Sequence, residues 1–110
     1  MQYEYFYGAQ AEQFSFYRIP KALFTEPNFR ELSTDAKVLY GILLDRMSLS
    51  LKNQWLDAQN KVYIIFTVEE IMDALNCANQ KATRLMVELE KQAGLIERKR
   101  QGLCLLYTSP

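Results

Sequence analysis

The sequence predicts an α+β fold, mostly helical with short β-hairpins, built around a winged helix-turn-helix over residues 67–107. Three observations predict it. Thr67 and Glu70 form an S/T-x-x-E pair directly before an apolar stripe, which marks a helix start. A second and longer apolar stripe follows after the break Asn76-Cys77-Ala78, and two helices so joined are the helix-turn-helix pattern. A basic strand with its return comes immediately after.

A chain of 110 residues has the length of one domain. With 49% apolar and 24% charged residues, its composition is that of an ordinary globular protein and excludes a disordered chain. No apolar run reaches the ~18 residues of a membrane-spanning helix. The opening Met1-Gln2-Tyr3-Glu4 lacks the basic and apolar regions of a signal peptide, so a cytoplasmic location is expected. Cys77 and Cys104 have no metal-ligand spacing and are read as small, half-buried thiols.

Residues 1–12 carry four aromatics among polar residues and read as a flexible arm, leaving 13–110 as the folded domain. The segment 14–19 alternates Phe14, Phe16 and Arg18 with Ser15, Tyr17 and Ile19, a short strand pattern that Pro20 ends. One helical turn over 21–24 and a turn at Glu26-Pro27-Asn28 are expected next. Ser33 suits a helix N-cap, and Asp35 suits the positive end of the helix dipole. Ala36, Leu39, Tyr40, Leu43, Leu44 and Met47 then form the stripe of a core helix ending near Leu49, with Lys37, Asp45, Arg46 and Ser48 on its wet side. Trp55-Leu56 and the β-branched run 61–66 read as two arms of a hairpin, with 57–60 as its turn.

The first helix of the pair places Val68, Ile71, Met72 and Leu75 inward and stops at Asn76, which tolerates a left-handed backbone. The second runs over 79–92, with Ala82, Leu85, Met86, Leu89 and Ala93 as its stripe and Gly94 as its C-terminal stop. Removing that stripe leaves Asn79, Gln80, Lys81, Thr83 and Arg84 facing outward. The N-terminal part of such a helix is the part that enters a major groove. Asn and Gln match adenine, Arg and Lys match guanine, and the Thr methyl meets that of thymine. These five are the candidate base readers. A polar face is also what any solvated helix presents, so the pattern alone leaves a non-binding helix pair open. Glu88 and Glu90 lie farther along and are read as part of a solvated face.

The wing comprises residues 95–100, a turn at Gln101-Gly102, and a return over 103–107. Arg98, Lys99 and Arg100 at its tip are the candidate phosphate contacts, which position a protein and carry little sequence information. Net charge is zero, yet residues 79–101 hold six bases against three acids. Phosphate attraction depends on such local surplus.

The chain resembles the N-terminal domain of the replication initiator protein A family of plasmids and mobile elements in Gram-positive bacteria. The resemblance rests on Phe16-Tyr17-Arg18-Ile19-Pro20-Lys21-Ala22-Leu23-Phe24, on Leu32-Ser33-Thr34-Asp35-Ala36-Lys37-Val38-Leu39-Tyr40, and on Asp45-Arg46-Met47-Ser48-Leu49-Ser50. It continues through Val62-Tyr63-Ile64-Ile65-Phe66 and Lys91-Gln92-Ala93-Gly94-Leu95-Ile96-Glu97-Arg98. It implies a winged-helix domain that recognises repeated double-stranded DNA at a replication origin, acts as a homodimer, and belongs to an initiator with a separate C-terminal domain. Host replication proteins are further candidate partners. Two departures stand out. Ala78 occupies a position where members often have a capping Ser or Thr, and Gly102 leads into Leu103-Cys104-Leu105 where family wings continue Gly-x-Pro-Asn. The tail 103–110 is therefore set down as a candidate non-native end.

Enzymatic chemistry has little to stand on. There is no histidine, which removes the commonest general base and metal ligand. Gly8, Gly41, Gly94 and Gly102 are isolated and form no phosphate-binding loop. No metal or other cofactor, no catalytic residue and no membrane association are expected. The competing readings are a transcriptional regulator using the same surface, and a winged-helix module for protein docking through the aromatic arm around Tyr3, Tyr5, Phe6 and Tyr7.

Overall fold

The computed structural model describes residues 5, 7, 8, 14–53, 56, 61–99 and 102–105. Its element order is α1 (Ala22–Thr25), a 3-10 turn (Pro27–Phe29), α2 (Thr34–Lys52), α3 (Val68–Leu75), α4 (Asn79–Val87), a π-helical continuation (Glu88–Gln92), β1 (Ile96–Lys99) and β2 (Gly102–Leu105). This is the expected winged helix: mostly helical, with one antiparallel two-stranded hairpin among the described residues.

Helix α2 is the central strut. The Ser33 hydroxyl accepts the Ala36 N–H at 3.2 Å, as an N-cap does. Ala36, Leu39, Tyr40 and Leu43 are buried as their spacing predicts, and Ile42 joins them. The helix runs to Lys52, past the expected stop near Leu49. Arg46, expected on its wet side, is instead drawn to the start of α3. Its guanidinium donates to the Glu70 carboxylate at 2.8 Å and to the Ile65 carbonyl at 3.1 Å, and lies 4.9 Å from the Phe66 ring centroid.

Segment 14–19 forms no strand. It passes over α2 at Gly41, where a Cβ would lie 2.8 Å from Ile19 Cγ1 and 3.1 Å from the Arg18 carbonyl oxygen. An alternating pattern records extended backbone but not whether another strand lies alongside. Of the expected arm, only Tyr5, Tyr7 and Gly8 are described, and all three are exposed. The arm's boundary at residue 12, Trp55 and the expected turn 57–60 lie outside the described residues.

Leu56 and Val62 form an isolated antiparallel bridge, the described remnant of the expected hairpin. The more consequential pairing of that second arm is with the wing. Ile64 and Leu103 exchange both backbone hydrogen bonds at 2.8 Å, which adds a third short segment to the β1–β2 hairpin. The hairpin register sets Ile96 opposite Leu105, Arg98 opposite Leu103 and Lys99 opposite Gly102. Gly102 thus begins β2 rather than closing the turn. A Cβ on it would overlap the Ile64 carbonyl oxygen, so glycine is the residue that lets the wing close against that backbone. Leu103 and Cys104 are buried, so the first residues of the suspect tail are part of the core, while 106–110 lie outside the described residues.

Candidate nucleic-acid interface

Thr67 caps α3 as expected, its hydroxyl accepting the Glu70 N–H at 3.1 Å. The other half of the capping box is diverted, because the Glu70 carboxylate reaches Arg46. Asn76 ends the helix in the left-handed region with φ of 50°. Ile71 is fully buried, and Val68, Met72 and Leu75 pack against the core.

Helix α4 then starts at Asn79 behind Ala78, which supplies no side-chain cap. Ala82, Leu85, Met86 and Leu89 are buried along one side. Asn79, Gln80, Thr83 and Arg84 are exposed, and their spacing sets them on one face with Val87, which is 39% exposed. Val87 was not singled out from the sequence. An apolar side chain four residues after Thr83 extends that outward face by one turn.

Lys81 departs from the expected set. Its ammonium lies 2.6 Å from an Asp35 carboxylate oxygen at the start of α2, with both side chains about half exposed. The expected readers therefore divide into four on an outward face and one tied sideways to α2.

Beyond Val87 the helix widens. The Ala93 N–H bonds to the Glu88 carbonyl at 3.0 Å, five residues back, which is the π pattern. Glu88, expected on a solvated face, is only 8% exposed. Its carboxylate accepts the Ser33 N–H at 2.8 Å and the Ser33 hydroxyl at 2.9 Å. A carboxylate from the π-helical continuation of α4 thereby completes the N-terminal cap of α2, and no local sequence rule joins residues 55 positions apart. Gly94, with φ of 64°, turns the chain into β1.

In the wing, Arg98 is exposed and its Nε donates to Glu90 at 3.1 Å, which ties β1 to the π-helical continuation of α4. Lys99 closes β1 opposite Gly102. Arg100 and Gln101 lie outside the described residues. Cys77 is half-buried and Cys104 buried. Among the described residues no helix is long and apolar enough to cross a membrane. No cluster of three or more His, Cys, Asp or Glu able to hold a metal occurs among them either.

The model of the replication initiator protein A N-terminus matches residues 15–105. The chain belongs to that family. A 41 kDa protein of Lactobacillus helveticus is 32% identical over 87 residues, which are 79% of this chain and 24% of that protein. The chain thus spans about a quarter of the length of the curated relative it matches. Three solved structures share the fold. An MDR initiator is 41% identical with a TM-score of 0.79, over 97% of this chain and 88% of its own. A Rep–DNA complex is 36% identical with a TM-score of 0.77, over 97% and 86%. The N-terminal domain of a DNA-binding protein is 36% identical with a TM-score of 0.78, over 99% and 87%. In this member of the initiator family the match runs from the extended segment before α1 to the end of β2, so it takes in the helix-turn-helix and both wing strands.

Proposed function

We propose that this domain binds double-stranded DNA at origin repeats in a sequence-specific manner, as the N-terminal domain of a plasmid replication initiator. The observation that carries the reading is the exposed face of Asn79, Gln80, Thr83 and Arg84 along α4. Those side chains supply the donors, acceptors and methyl that base edges in a major groove require. The Rep–DNA complex among the structural neighbours supports the same ligand.

In this reading Asn79, Gln80, Thr83 and Arg84 read bases, and Lys81 contributes only after leaving Asp35. Arg98, Lys99 and Arg100 lay charge along phosphates. The domain performs no chemical step itself. It acts in the cytoplasm, as a homodimer, and delivers the origin to host replication proteins. Support for a dimer comes from the aromatic surface before α1, where Phe14, Phe16 and Tyr17 are all exposed. Of these, the Phe14 and Phe16 rings lie 6.4 Å apart, and exposed aromatic side chains of that kind are available for self-association.

A mobility-shift titration against the repeat array of the encoding plasmid, beside a scrambled duplex of equal length, tests the reading. Tight binding to the repeats with at least about 100-fold weaker binding to the control is expected. Equal affinity for both duplexes overturns it. Sedimentation of the free protein tests the dimer, and a monomer at tens of micromolar refutes that part.

A further inference from the structure

The pair between Lys81 and Asp35 links two helices. It joins the first turn of α2 to the first turn of α4 through the Lys81 ammonium. The first turn of α4 has no acidic residue of its own, and Ala78 gives it no cap. A lysine there sits at the unfavourable end of the dipole, and Asp35 offsets that charge across the helix–helix contact. Seven residues along α4, on the same side, Glu88 is bonded to Ser33. Two polar ties thus join α4 and its π-helical continuation to the start of α2, and the Ser33 tie does not involve Asp35.

We infer that Asp35 is a specificity-determining residue that acts through Lys81. By pairing with the ammonium, it withholds one sequence-blind cation from DNA phosphates and leaves discrimination to Asn79, Gln80, Thr83 and Arg84. The inference rests on the DNA-reading function proposed above. Bound to its repeat, the helix is seated by the readers with Lys81 turned sideways toward α2. On an unrelated duplex the protein samples many orientations, some of which bring that flank against phosphates. Removing Asp35 therefore strengthens wrong binding more than right binding.

The test is fluorescence anisotropy of the chain, wild type and the variants Asp35→Asn, Lys81→Gln and the double variant, on repeat and scrambled duplexes over a salt series. Asparagine keeps the polar shape at the start of α2, and thermal melts confirm folding. Asp35→Asn is expected to tighten the scrambled duplex about fivefold and the repeat less than about twofold. The salt slope on the scrambled duplex should steepen by about 0.9, the value of one added phosphate contact. Asp35→Glu, which restores an anion, should return the slope to that of wild type. Adding Lys81→Gln should abolish the gain. A gain that persists in the double variant shows that Asp35 merely repels DNA and overturns the inference, as does an equal gain on both duplexes or none. Failure of the wild type to prefer its repeats is a separate result. It refutes the DNA-reading function itself, and the inference with it.

Discussion

The Glu88 carboxylate accepts two hydrogen bonds from Ser33, one from its backbone N–H at 2.8 Å and one from its hydroxyl at 2.9 Å. The same hydroxyl accepts the Ala36 N–H, so one serine is both cap and donor. The π-helical stretch that begins at Glu88 and the start of α2 therefore share one polar junction beside the apolar core.

Loss of that junction should be costly. Glu88→Ala removes a charged acceptor and leaves the part-buried Ser33 donors without it, and is expected to cost about 2–3 kcal/mol. Glu88→Gln retains one acceptor oxygen and should cost less than half as much. Urea denaturation measures both. A loss below about 0.5 kcal/mol for Glu88→Ala would show that water replaces the carboxylate.

Arg46 serves α3 with a planar fork that lysine cannot reproduce. Its two hydrogen bonds and the Phe66 ring hold the turn before α3, but the ion pair with Glu70 is about one-third exposed and is discounted for screening. Arg46→Lys should cost about 1 kcal/mol and raise amide exchange in the first turn of α3. Exchange unchanged at Glu69 and Glu70 would refute the role.

Gly41 lies in mid-helix, where alanine ordinarily stabilises by about 1 kcal/mol. The approach of Ile19 and of the Arg18 carbonyl reverses the expected sign. Gly41→Ala should destabilise by about 1–2 kcal/mol and increase proteolysis near Tyr17 and Arg18. A more stable variant with unchanged cleavage would show that the crossing segment moves aside freely.

The division of labour on DNA has its own signatures. Arg84→Ala is expected to cost about 1–3 kcal/mol on the repeat and to relax preference at one base. Lys99→Ala should weaken all sequences alike and flatten the salt dependence. A changed sequence preference for Lys99→Ala would reverse the assignment.

Glu90→Gln should leave stability within about 0.5 kcal/mol, since the Arg98 partner is exposed. It releases that guanidinium, so binding to any duplex should strengthen and become more sensitive to salt. Weaker binding would mean that the ion pair aims the wing.

Much of this protein was determined by its sequence alone, wherever a rule spans one helix turn or one strand pair. The Thr67 cap, the left-handed stop at Asn76, the stripe from Ala82 to Leu89 and the turn at Gly94 all follow from local chemistry, and they locate α4 and its continuation. The exposure of Asn79, Gln80, Thr83 and Arg84 follows from the same period of 3.6. The tertiary structure decided what distant charges do. Lys81 reads as a base contact by its helix position, yet Asp35 lies beside it. Glu88 and Arg46 read as solvated, yet each closes the end of another helix. Ile64 and Gly102 belong to separate hairpins by sequence and press backbone to backbone in the fold. Periodicity records which side of an element is wet, but the partner that meets a polar group depends on how whole elements pack. Packing of α2 against α4 is a property of the assembled core rather than of any window of residues.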